Sequence, residues 1–173
     1  GYGLSYTTFE TKAEISGNTE DELTVSATVT NTGSVKGKEV VQVYAKVPQG
    51  KLGNPARKLI AFAKTAELAS GETEELCIII PKYDMASYDD SGVTGHKSCY
   101  VLEAGTYEIF VGSDVRSVQP AGSYEEKFRV LEELQEAYAP VEAFRRMKAV
   151  QQPDGTYTAT EEEVPLRTVD PQV

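Results

Sequence analysis

The side chains in this sequence best able to do chemistry are carboxylates, 27 aspartates and glutamates against 17 lysines and arginines. Cleaving a glycosidic bond takes two of them facing each other across a cleft, one as acid and one as nucleophile or base. The visible clusters read differently. Glu72, Glu74 and Glu75 fall where a solvated strand end is expected, and Glu161, Glu162 and Glu163 form a charge run, which by default is solvated surface. Asp84, Asp89 and Asp90 with Ser91 and Gly92 faintly suggest a calcium loop, but the oxygen spacing and terminal glutamate are absent, so Asp90-Ser91-Gly92 reads as a turn. The single histidine, His96, lies in the loop "GVTGHKSC" and has no G-x-S-x-G nucleophile elbow to serve. Phosphate-loop and dinucleotide motifs are missing. The two cysteines, Cys77 and Cys99, form no C-x-x-C pair. Cys77, in the apolar run "LCIII", is expected to be a small buried side chain, and a Cys77–Cys99 bridge requires their strands to be neighbours. No catalytic, cofactor-binding or metal-ligating set is therefore assigned, and no cofactor is expected.

Bulk charge narrows the partners. A formal net charge of −10 repels phosphate backbones and anionic lipid, so neither nucleic acid nor a membrane surface is an expected partner. No apolar run approaches the ~18 residues a span requires. A sugar-binding face remains to be weighed. Such faces stack pyranose rings on flat aromatic side chains. The chain has no tryptophan, but it has 10 tyrosines and five phenylalanines, most of them in or beside expected strands.

Residues 6–130 read as short strands between turns. In "ELTVSATVTNTG", Leu23, Val25, Ala27 and Val29 alternate with polar residues, the mark of a half-buried strand, and Asn31-Thr32-Gly33 ends it. "KEVVQVYAKVP" puts Val41, Val43, Ala45 and Val47 on one face and stops at Pro48. "RKLIAFAKTAEL" reads as one or two short strands, "TEELCIIIP" as another, and "SYEEKFRVL" as the last. Tyr107, Ile109 and Val111 share a face. About seven strands with frequent turns predict an all-β immunoglobulin- or fibronectin-like sandwich over residues 1–130. After Val130 the composition shifts. "LEELQEAYAPVEAFRRMKAV" is rich in helix formers, and Pro140 suits a helix start. The reading is a helix over about 141–150 with Phe144 and Met147 inward, then an extended linker, together making a helical and extended tail over 131–173.

The opening phrase "GYGLSYTTFE" resembles the segment entering the fibronectin type III-like domain of glycoside hydrolase family 3 enzymes, the β-glucosidases and their relatives. Three further stretches resemble that domain in the same order: "VTNTGSVKGKEVVQVYAKVP", "ARKLIAFAKTAELASGETEEL" and "LEAGTYEIFVGSDVRSV". "VPLRTVD" at 164–170 is similar to the segment leading into the catalytic (β/α)₈ barrel in members with swapped domain order. The resemblance implies that this chain is cut from a larger protein that hydrolyses β-glucosides with retention. Its nucleophilic aspartate and its acid/base carboxylate would both lie outside this chain.

On that resemblance the expected role is a non-catalytic buttress, and the expected partners are the catalytic barrel and the α/β sandwich domain of the parent chain. Tyr2, Leu4, Tyr6 and Phe9 are candidates to cover a domain junction. Arg57 and Lys58 are candidates to dock on an acidic surface, the plain alternative being a solvated loop. Tyr107 is either a tyrosine corner, its hydroxyl bonding backbone across a turn, or simple core packing. Two further readings stay open: a carbohydrate-binding module recruiting a β-glucan or oligosaccharide, and a free-standing interaction domain.

Overall fold

The structure, a computed structural model, describes residues 5–135 and 140–166. The strands are β1 (Phe9–Asn18), β2 (Glu22–Asn31), β3 (Val40–Lys46), β4 (Lys58–Lys64), β5 (Thr73–Pro81), β6 (Ser87–Asp89), β7 (Cys99–Leu102), β8 (Gly105–Gly112), β9 (Val118–Glu126), β10 (Arg129–Glu133), β11 (Arg145–Gln151) and β12 (Tyr157–Glu163). One 3₁₀ turn, Lys82–Met85, joins β5 to β6. A three-stranded sheet, β1-β2-β5, packs on a four-stranded sheet, β4-β3-β8-β9, with every pairing antiparallel. These seven strands are the sandwich that the alternation predicts. A third sheet, β10-β7-β6, stands beside them, and β11-β12 form a separate hairpin.

The alternation of β2 explains the core. Leu23, Val25, Ala27 and Val29 are fully buried and meet Val41, Val43 and Ala45 of β3, Ile78 and Ile80 of β5, and Ile109 and Val111 of β8 in one cluster. Each buried aliphatic side chain stabilises the fold by about 1.5–3 kcal/mol before entropy is charged against it. Tyr107 joins the same cluster at 1% exposure. Its hydroxyl donates to the Glu103 carbonyl at 3.0 Å, four residues upstream, so it is a core residue and a corner at once. Burial pushes its phenol well above the usual range. The buried Glu103 carboxylate then accepts the N–H groups of Lys51 and Leu52 at 2.6 and 3.2 Å. That approach requires Gly50, at φ 39°, because a Cβ there would lie 2.3 Å from the carboxylate.

The structure corrects several of these expectations, while the two cysteines stay unbridged. Cys77 is exposed, because Leu76, Ile78 and Ile80 take the more buried positions of β5 and leave it on the outward side. Cys99 is buried on β7, which is not a neighbour of β5, and both thiols are free. The helix expected near 141–150 is absent: Arg145–Gln151 is a strand, paired in register with Tyr157–Glu163 across a Pro-Asp-Gly turn. Pairing with β12, whose Tyr157, Thr158 and Thr160 favour strand, overrides the weak helix preference of "FRRMKAV". Phe144 and Met147 consequently point outward, 52% and 78% exposed, and Glu161–Glu163 lie in a strand rather than a linker.

Tyr107→Phe removes the corner hydrogen bond and keeps the ring. We expect a loss of about 1–2 kcal/mol, read as a lower urea midpoint with an unchanged slope.

Candidate functional site

The sequence-derived interface residues divide in the structure. Tyr2 and Leu4 lie outside the described residues. Tyr6 is almost fully exposed, at 98%. Phe9 starts β1 and packs partly buried against the core. Arg57 lies over the Phe110 ring, 5.0 Å from its centroid, and donates to the Val115 carbonyl at 2.7 Å. Lys58 turns elsewhere: its ammonium donates to the Ala86 carbonyl at 3.0 Å. Burial pulls its pKa down, and Asp84 opposes that pull.

Arg57 therefore sits on the outer face of the four-stranded sheet. The register fixes that face. Leu59, Tyr44 and Phe110 lie side by side across β4, β3 and β8, and Phe62 pairs with Gln42 one step along. Tyr44 is buried, its hydroxyl donating to Gln42 Oε1. Leu59 and Phe62 remain 47% and 70% exposed. The result is an apolar strip with a guanidinium at its edge, suited to contact with another protein surface.

A second aromatic group covers the outer side of the third sheet. Tyr100 has its ring centroid 5.2 Å from both Tyr83 and Tyr88, tilted by 46° and 49°. The Tyr83 hydroxyl donates to Glu132 at 2.6 Å, and that bond, with some burial, raises its pKa to about 12. Tyr88 also borders a cleft of about 680 Å³ between loops 49–56 and 88–93 and the β11–β12 hairpin, with Asn54, Asp90, Arg146, Tyr157 and Glu162 among its walls.

The acidic loop is a turn held together by its own side chain. Asp89, fully buried, accepts from the backbone N–H of Gly92, Val93 and Thr94 at 2.7, 3.0 and 2.8 Å and from the Thr94 hydroxyl at 2.6 Å. Its burial disfavours the charge, but these donors together outweigh that and hold the carboxyl below its ordinary range. The neighbouring Asp90 pairs with Arg146. His96 stacks on Phe128 at 5.3 Å. Among the described residues no group of three His, Cys, Asp or Glu side chains is arranged to hold a metal. The Asp-Ser-Gly turn was legible in the residues themselves. The tyrosine group was not, because Tyr88 meets Tyr100 through the pairing of β6 with β7 and Tyr83 reaches Tyr100 from the 3₁₀ turn.

Residues 39–115 match the family of fibronectin type III-like domains. The chain is 46% identical over 171 residues to a β-glucosidase of Ruminococcus albus, covering 98% of this chain and 17% of that protein. It is 40% identical to β-glucosidase A of Butyrivibrio fibrisolvens, covering 97% of this chain and 22% of that one. The solved structure of a β-glucosidase from Paenibacillus barengoltzii superposes with a TM-score of 0.88 at 49% identity, over 97% of this chain and 19% of that one. The chain thus spans about a fifth of the length of the relatives it matches.

Asp89→Asn keeps the shape of the turn's anchor and removes the charge. A carboxyl held low when folded contributes stability that is complete above its ordinary value of 3.8 and lost as pH falls through its folded value. We expect the variant to be less stable at pH 7 by about 1–2 kcal/mol, and the gap from wild type to close on acidification below 3.8, measured by urea unfolding across pH.

Proposed function

The chain carries the fibronectin type III-like domain of glycoside hydrolase family 3, and from that premise we propose that it is the non-catalytic positioning module of a longer β-glucosidase. One observation carries the reading: nearly the whole chain aligns with a fifth of a β-glucosidase, leaving four-fifths of such a protein to hold the chemistry. The parent hydrolyses β-glucosides, or related β-glycosides, with retention. A carboxylate nucleophile attacks the anomeric carbon while an acid protonates the departing oxygen. The same acid, now a base, then takes a proton from the water that releases the sugar. Both carboxylates come from the parent's barrel and α/β domains, outside this chain.

Retaining chemistry sets the two carboxyl groups only about 5–5.5 Å apart. When they come from different domains, an error of about 1 Å in docking costs rate steeply. A stiff sandwich with an apolar strip at Leu59, Phe62 and Phe110 and a cation at Arg57 supplies a surface against which a neighbouring domain can register. Tyr6, almost fully exposed, is a further candidate for a domain junction. Contacts of this kind bury ~600–1,500 Å².

A second reading is favoured by one observation. Tyr83 and Tyr88, both exposed, flank the half-buried Tyr100 in an aromatic group of the kind a glucan-binding surface uses.

Two assays on this chain decide between the readings. Incubated with p-nitrophenyl β-glucoside, the chain alone is expected to give no turnover; turnover by it would end the positioning account. Titrated calorimetrically with cello- and laminari-oligosaccharides, it is expected to give no saturable heat. Saturable heat that disappears in Tyr88→Ala would establish the second reading instead.

A further inference from the structure

We infer that the β11–β12 hairpin, with the cleft at its root, is the seat on which another part of the parent polypeptide docks through an apolar segment. The inference deepens the positioning role and rests on the reading that this chain is one module of a longer protein.

The hairpin cannot be accounted for by its own contacts. Among the described residues its two strands pair only with each other, and an isolated two-stranded hairpin is marginal in water. Ion pairs hold its root. Arg146 bridges Asp90 of the third-sheet loop and Glu162 of β12, and Lys148 reaches Glu162 at 2.8 Å. These groups are partly exposed, so solvent screens them and they contribute little. They set where the hairpin points without burying it.

Its apolar side chains remain largely uncovered. Val141, Phe144 and Met147 are 71%, 52% and 78% exposed, and Tyr157 and Leu166 are 43% and 42%. A methionine exposed to that degree in the middle of a strand, with Phe144 and Val141 uncovered on the segment that leads into it, is apolar surface of the kind that marks an interaction site. Met147 and Tyr157 also border the cleft, whose sandwich side presents Leu52, Pro55 and Val93. The cleft therefore carries apolar side chains on both walls among polar ones, Gln49, Asn54 and Ser91 on one side and Lys148 and Glu162 on the other, with the Arg146–Asp90 pair at one margin.

The comparison with the Paenibacillus barengoltzii enzyme indicates the occupant. The superposition leaves out only about five residues of this chain, so it includes hairpin residues, yet it takes up 19% of that protein. The hairpin therefore recurs where four-fifths of the polypeptide lies outside the matched region, and an apolar segment of that remainder is available to cover it in the same molecule.

Hydrogen–deuterium exchange tests this on the 173-residue chain and on the parent in parallel. In the chain alone, amides of 145–151 and 157–163 are expected to exchange quickly. In the parent they are expected to slow at least tenfold, and Met147→Asp is expected to restore fast exchange there while leaving the separate chain unchanged. Equal rates in the two contexts would overturn the inference, as would protection that appears in the separate chain on raising its concentration, which would make a second copy the occupant. Turnover of β-glucoside is measured on the same parent sample. Protection without turnover would defeat the assigned activity and leave the docking seat standing; turnover without protection would do the reverse.

Discussion

Lys82 lies beneath the ring of Tyr124, 4% exposed, and its ammonium reaches Glu126 at 2.7 Å. Few positions in the molecule are as constrained. Lys82 opens the 3₁₀ turn after β5, and Glu126 closes β9, so the pair ties the last strand of one sheet to the edge of the other. Three residues on, Arg129 begins β10, lies near Glu126, and reaches Asp21 at 3.1 Å in the turn between β1 and β2. Removing one member of a buried pair leaves an uncompensated charge, a loss of about 3–5 kcal/mol. The third sheet leads off from this corner. The 3₁₀ turn runs into β6, β10 runs beside β7, and the loop after β6 carries Asp90, which holds Arg146 of the hairpin.

The core was legible because it depends on period-two alternation. Leu23 to Val29 and Val41 to Ala45 point inward as a half-buried strand demands. Tyr107 was legible as a choice between corner and core, and the geometry satisfies both. Two failures have the same origin. Cys77 sits in an apolar run where continuous hydrophobicity hides which residues face in, and "VEAFRRMKAV" has helix-forming composition but a strand partner eight to eighteen residues away. Local preference says little where pairing decides. The Lys82–Glu126 pair, 44 residues apart in sequence, left no trace that a single sequence could reveal. Nor did the tyrosine group.

The physical picture is of a domain whose polar groups are spent on holding itself in shape. Asn31, fully buried, accepts from Thr7 and Gly33 and donates to the Val35 and Leu68 carbonyls, closing one end of the sandwich. Glu103 closes the region after β3, and Asp89 closes the turn after β6. Carboxylates committed in this way are poor reagents and good braces. What remains for other molecules is surface: the Leu59–Phe62–Phe110 strip with Arg57, and the charged hairpin with its exposed Met147. That division suits a part whose contribution to catalysis is to keep other parts in register.

The measurement that tests this account most directly is turnover and thermal melting of the parent enzyme with residues 1–173 replaced by a flexible linker. On the proposed reading all its catalytic carboxylates would remain. The account predicts that kcat/KM for a β-glucoside falls by at least tenfold and that the remaining domains melt at lower temperature. A parent that keeps its full rate and its melting temperature without this segment would contradict it.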